Sequence, residues 1–160
     1  MSFPVETEPA RDAAQVNRYY QKVARVLVAD SEPASRLAIK TILSTAGYAV
    51  SGAATGAEAA AKLDAREYQL VLADLRAESD EAGPRLLAYA RQKDFHPATA
   101  LLASDMRETE SGETAWFEET HHSSIHISNE NVCDLLERVA GLISRRADRR
   151  MRRSSLLGTA

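Results

Sequence analysis

The sequence predicts an α/β fold: one parallel sheet of five strands, covered by helices on both faces, with an extra helix ahead of the first strand. Three observations carry the prediction. Short unbroken apolar runs stand at Val26-Leu27-Val28-Ala29, Leu70-Val71-Leu72-Ala73 and Ala100-Leu101-Leu102-Ala103, as expected of central parallel strands buried on both sides. Helical periodicity fills the segments between them, so strand and helix alternate along the chain. Each of the three runs also ends at a polar residue, Asp30, Asp74 or Ser104, where the chain would leave the sheet.

Taken in order, Met1 to Pro9 hold two prolines and little to bury, which predicts a disordered leader. Val16, Tyr19, Tyr20 and Val23 then lie at i, i+3, i+4 and i+7, an amphipathic helix that could pack on its own domain or on a second subunit. Arg25 to Ala29 is the first strand. Pro33 suits a first helical turn, Ile39, Ile42, Leu43 and Ala46 form an apolar face, and Gly47 gives the stop. Tyr48 to Ser51 is a short second strand. Thr55 with Glu58 reads as a capping box opening an alanine-rich helix that reaches about Ala65. Gln69 to Ala73 is the third strand, and Leu86, Tyr89 and Ala90 mark the third helix. Thr99 to Ala103 is the fourth strand. The acidic stretch Met106 to Glu119 supports only a short helix around Ala115, Trp116 and Phe117. Ser124 to Ile127 is the fifth strand, and Val132, Leu135, Leu136, Val139, Leu142 and Ile143 mark the strongest helix of the chain.

Composition excludes several classes. Leu, Ile, Val and Phe total 33 of 160 residues, so the core is small, and no apolar run is long enough to span a membrane. Glu6, Glu8 and Asp12 with no apolar run between them argue against a secretory signal. The single cysteine, Cys133, excludes a disulfide scaffold or a Cys-rich zinc site and reads as a core or boundary residue. A soluble cytoplasmic protein is expected. The formal charge of −3 conceals an asymmetry: Arg145 to Arg153 holds six arginines and one acid, while the remainder carries 14 basic and 22 acidic residues. That run could meet an acidic partner, nucleic acid or another copy of the chain. The reading preferred here is a solvated continuation of the last helix, and nucleic acid is not expected, because no aromatics interleave the arginines.

In an open parallel sheet the site forms beyond the carboxyl ends of the strands, where strand order reverses. For five strands in the flavodoxin-like order that point lies between the first and third, and the residues directly after those strands are Asp30 and Asp74. Two carboxylates converging there repel unless a cation sits between them. Magnesium suits such a site, since one or two carboxylates, several waters and a phosphate oxygen complete its shell. Ser104, after the fourth strand, could donate a hydrogen bond to whatever binds. His121, His122 and His126 show no defensible ligand spacing and read as loop or surface residues. Neither a phosphate-binding glycine loop nor a nucleophile elbow is present.

Arg25 to Arg145 resembles a response-regulator receiver domain. The resemblance rests on Val26-Leu27-Val28-Ala29-Asp30-Ser31-Glu32-Pro33, Gly47-Tyr48-Ala49-Val50, Thr55-Gly56-Ala57-Glu58-Ala59 and Leu70-Val71-Leu72-Ala73-Asp74-Leu75, in that order and spacing. It implies a (βα)5 receiver fold and magnesium-dependent transfer of a phosphoryl group from a histidine kinase or phosphotransfer protein to an aspartate. Asp74 matches the phosphoacceptor, Asp30 the first member of the acidic pair, and Ser104 the Thr/Ser position that hydrogen-bonds the phosphoryl group. The departures matter equally. Ser31 stands at the second acidic position, which leaves Glu32 as a weak further metal ligand beside Asp30 and Asp74. Ser128-Asn129 stands where the family has lysine and proline, Ile125 occupies the aromatic switch position, and the usual Met-Pro after the acceptor is absent.

The chain therefore divides into a leader with its helix (1–24), a receiver-like domain (25–145) and an arginine-rich tail (146–160). Its expected function is that of an atypical receiver in a two-component phosphorelay, a phosphoprotein signalling through protein contacts, with a weakened or absent magnesium site and no enzymatic activity. The alternative is a phosphorylation-independent pseudo-receiver acting as an adaptor. Self-association through the N-terminal helix or the fourth and fifth helices is open to either reading, and no membrane partner is expected.

Overall fold

The computed structural model describes residues 24–104, 123–127 and 132–157. Strands β1 (Arg25–Asp30), β2 (Ala49–Ala53), β3 (Leu70–Asp74), β4 (Ala98–Ser104) and β5 (Ser123–Ile127) form one sheet in the order β2-β1-β3-β4-β5. Every neighbouring pair runs parallel. Helices α1 (Pro33–Thr45), α2 (Gly56–Ala65), α3 (Ala82–Arg91) and α4 (Val132–Leu157) are the helices among the described residues. The leader, the helix expected at Val16 to Val23, the one around Ala115 to Phe117, His121, His122 and the Ser128-Asn129 pair lie outside them.

Strand alternation sorts the apolar runs onto two faces. Val26, Val28, Leu70, Leu72, Ala100 and Leu102 pack with Ile39 and Leu43 of α1 and with Leu135, Val139 and Leu142 of α4. Leu27, Ala29, Val71 and Ala73 point the other way, onto Ala59 and Leu63 of α2 and Leu86, Leu87 and Ala90 of α3. Both faces are therefore dry, which is why these strands read as continuous apolar runs. A fully buried leucine in such a core, Leu27 or Leu72, stabilises the fold by about 2–5 kcal/mol relative to alanine.

Local signals set the element ends. Pro33 occupies the first turn of α1, where its missing N–H costs no hydrogen bond. Gly47 follows α1 at φ 105°, a left-handed conformation that favours glycine. At α2, Thr55 Oγ1 accepts from the Glu58 amide at 3.1 Å. The Glu58 carboxylate reaches back to the Ala54 amide at 3.1 Å, one residue earlier than in an ideal capping box.

The arginine run continues the last helix, which crosses residues 145 and 146 without a break. A division at that point falls inside one element. Arg146 also departs from the reading of a solvated end: it is 7% exposed and donates to the backbone carbonyls of Phe95 (2.6 Å) and His96 (3.1 Å). His96 has φ 40°, a left-handed conformation uncommon outside glycine, so Arg146 fastens α4 to a strained turn before β4. No described helix is long and apolar enough to cross a membrane.

Candidate functional site

The strand pair that spans the order reversal is β1 with β3, and their last residues, Asp30 and Asp74, are direct register partners. The preceding apolar residues of both strands are buried, so the sheet itself holds the two acids side by side at its carboxyl edge. A further backbone bond closes the gap beyond them: the Ser31 amide donates to the Asp74 carbonyl at 3.1 Å.

The two carboxylates live in different surroundings. Asp30 is 2% exposed. Its Oδ1 accepts from the Glu32 amide at 2.9 Å, but its Oδ2 is buried and has no hydrogen-bond partner. The Ser31 hydroxyl is buried and unpartnered in the same way. Burial pushes the Asp30 carboxyl above the usual carboxylate range, opposed by the Ser35 hydroxyl and the Glu32 amide and reinforced by the charges of Asp74 and Glu32. Arg36 reaches over from α1 and donates to the Asp30 carbonyl at 2.8 Å.

Asp74 is held by a fork. Arg76 Nε donates to Asp74 Oδ1 at 3.0 Å and Nη2 to Oδ2 at 3.1 Å, a two-point grip on the carboxylate. That contact raises the affinity of Arg76 for its proton, with burial opposing and the charges of Asp74, Asp30 and Asp80 assisting. The loop shape makes the grip reachable. Leu75 is buried at 1% exposure, the Glu78 and Ser79 amides donate back to its carbonyl, and the Glu78 carboxylate accepts from the Gly56 amide at 3.1 Å. The segment after β3 is thereby tied to the start of α2, with Arg76 turned back onto the strand end.

Of the residues singled out in the sequence, Asp30 and Asp74 are brought together. Glu32 is the residue before α1; its side chain is exposed and forms no capping bond. Ser104 closes β4 at the same carboxyl end, in register with Ile127. Arg76 and Arg36 went unread. The signal for Arg76 was a long cation two residues beyond a strand-ending aspartate, close enough to fold back on it; nothing in the spacing marked Arg36.

The family model for the response regulator receiver domain matches residues 26–118, more than half of the chain. The chain belongs to the response regulator receiver domain family. No curated protein matches. Among solved structures, a CheY-like receiver domain protein from Methanospirillum hungatei is 22% identical, with a TM-score of 0.65 over 79% of this chain and 98% of that one. A response regulator from Thermotoga maritima is 24% identical, with a TM-score of 0.62 over 76% and 98%. A protein from Rhodopirellula baltica called an adenylate cyclase is 19% identical, with a TM-score of 0.64 over 85% and 98%. At these identities the likeness shows the fold alone. Receiver domains are signalling modules of two-component systems, and the family binds magnesium at its acidic site.

Does this receiver's donor set fit the ion? Two buried oxygens without partners, Asp30 Oδ2 and Ser31 Oγ, sit at the edge where Asp74 ends its strand. Buried polar atoms are normally satisfied, so this pair suits a hard cation that keeps most of its water. Among the described residues no group of three His, Cys, Asp or Glu side chains could hold a metal. The set fits a magnesium ion held by few protein ligands.

Proposed function

We propose that this receiver accepts a phosphoryl group on Asp74 from a histidine kinase or phosphotransfer protein and signals through the protein contacts that follow. The observation that carries the proposal is the register pairing of Asp30 with Asp74 at the point of strand-order reversal, with an unpartnered oxygen on Asp30. In the transfer, an Asp74 oxygen attacks phosphorus, the new O–P bond forms, and the donor's N–P bond breaks with its electron pair returning to the imidazole. Phosphoryl transfer depends on positioning and charge neutralisation more than on covalent help from the protein.

Arg76 supplies much of that neutralisation in this reading. Its fork holds both Asp74 oxygens at rest, so one must be released before attack. Once the phosphoryl group is on Asp74, the same guanidinium can donate to phosphoryl oxygens and stand in for the lysine replaced in the Ser128-Asn129 segment. Ser104 is assigned the hydrogen bond to the phosphoryl group. Magnesium would be held by Asp30 and Asp74, with Glu32 at the rim, and would supply positive charge to the transferring group when bound.

The test is incubation with acetyl phosphate and magnesium, followed by intact-mass measurement. A mass gain of one phosphate that disappears in Asp74→Asn is expected. A second reading, a phosphorylation-independent adaptor of the same fold, is favoured by one observation: the resting Asp74 has both oxygens engaged, beside a serine where the family has an acid. No gain under conditions that label ordinary receivers would establish that reading.

A further inference from the structure

We propose that this receiver carries a second site, a cleft at the far end of the molecule that binds a small polyphosphorylated ligand of the nucleotide class. The cleft, half open to solvent, offers about 680 Å³ between α4 and the turn that leads into β4. Ala98 and Thr99 at the start of β4 line it, so it opens at the amino edge of the sheet, opposite the edge that carries Asp30 and Asp74.

Its lining is one-sided in charge. Arg91, Arg145, Arg146, Arg149, Arg150 and Arg153 face it, against a single carboxylate, Asp94. Among the described residues no ion pair involves Arg145, Arg149, Arg150 or Arg153. Their concentration is electrostatically unfavourable. Burial lowers the proton affinity of Arg91 and Arg146; the charge of Arg149 lowers it further in Arg91, and those of Arg150 and Arg149 do so in Arg146 against the opposing carboxylate of Glu67. Arg91 is fixed by donating to Thr99 Oγ1 at 3.2 Å, and Arg146 by the Phe95 and His96 carbonyls. Two guanidiniums are thus built into the wall, while four more extend along exposed turns of the helix over the opening.

Two properties select the ligand. Guanidinium forks match phosphate oxygens in planar, two-point geometry, and several such groups around one opening call for more than one phosphate. The cleft is also concave and of small-molecule size, within the range of roughly 300–1,000 Å³ usual for ligand pockets. Pro97 and Leu142 give it an apolar patch against which a flat base could lie. The two guanidiniums fixed in the wall, Arg91 and Arg146, distinguish this hollow from a basic helix surface alone, which is what a nucleic-acid duplex would follow.

The test is isothermal titration calorimetry of the full chain at physiological salt with ATP, GTP, pyrophosphate and inorganic phosphate, beside a short DNA duplex. Saturable one-site binding of ATP or GTP is expected, tighter than pyrophosphate and much tighter than phosphate. The double variant Arg149→Ala/Arg153→Ala, on exposed helix positions and checked for an unchanged melting temperature, should weaken it by about tenfold or more. Arg76→Ala, at the other end of the molecule, should leave it unchanged. No heat with any of the four small anions overturns the proposal. So does binding that ignores the double variant, or binding confined to the duplex. Because the readout is nucleotide affinity, it stands or falls independently of whether Asp74 is phosphorylated.

Discussion

Removing the guanidinium from Asp74 should make magnesium bind more tightly and make the ion-free protein less stable. In Arg76→Ala the side chain lost is 30% exposed and its partner 20% exposed, so the pair is half-buried and only partly screened by solvent. Two charge-assisted bonds at 3.0 and 3.1 Å disappear, and Asp30 and Asp74 are left facing each other across one strand register. Hydrogen bonds to charged groups contribute about 1.5–3 kcal/mol each when buried; for a pair this accessible a total near 1–2 kcal/mol is the reasonable scale. An ion entering the wild-type site must displace that fork from Asp74 and works against the same energy. Its loss should therefore appear as roughly a tenfold gain in magnesium affinity, since about 1.4 kcal/mol is a factor of ten.

Urea unfolding of both proteins across a magnesium series measures the two effects together. Without magnesium the variant should be less stable by about 1–2 kcal/mol. With rising magnesium its stability should climb sooner, because an ion bound only by the folded state stabilises by RT ln(1 + c/Kd) at a free ion concentration c. The two curves should approach each other or cross. Equal or weaker magnesium affinity in Arg76→Ala would refute the reasoning, since it would mean that the guanidinium does not compete for the Asp74 oxygens.

Asp30→Asn should stabilise the fold by about 1 kcal/mol at neutral pH, because the buried Asp30 charge has one unpartnered oxygen and two acidic neighbours. The sign follows from linkage: a carboxyl whose folded pKa is raised makes the wild type lose stability as pH rises from the unfolded value through the folded one. The variant's advantage should be absent in acid and fully present above the raised pKa, as read by urea midpoints between pH 4 and 8. Arg146→Met should destabilise by about 2–3 kcal/mol in the same assay, since it strips the donor from two backbone carbonyls next to a strained His96. Thr55→Ala should cost about 1 kcal/mol through loss of the cap on α2.

The parts of this receiver that were legible in the sequence are those governed by short-range rules. Apolar runs bounded by Asp30 and Asp74 marked central strands because both faces of the sheet are dry, and Pro33, Gly47 and Thr55 marked helix ends because each relieves a local backbone requirement. The pairing of Asp30 with Asp74 followed from strand order, which for a parallel sheet leaves one reversal point. Arg76 carried a proximity signal, a cation two residues beyond Asp74, but its fork depends on how the loop after β3 is tied down through Leu75 and Glu78. Arg146 was masked by composition: it continues the stripe of Val139, Leu142 and Ile143 at i+7, i+4 and i+3, but a guanidinium amid six arginines reads as solvated unless that period is followed through it.

Arg76 and Arg146 point to the same physical constraint. A guanidinium is tolerated at low exposure only where several acceptors meet it, and each of these finds two: both oxygens of a carboxylate in one case, two consecutive backbone carbonyls in the other. The consequences differ with the acceptor. Backbone carbonyls cannot change charge, so the Arg146 contact is a fixed anchor, and its neighbours along α4 retain their positive charge for an external anion. A carboxylate that becomes phosphorylated gains charge and oxygens, so the acceptors offered to Arg76 change while the cation remains. A fork already placed on Asp74 therefore needs to move by no more than the size of the new group to hold the product. That makes the resting contact compatible with phosphorylation, provided the fork can release one oxygen, and magnesium competition in Arg76→Ala measures how firmly it holds.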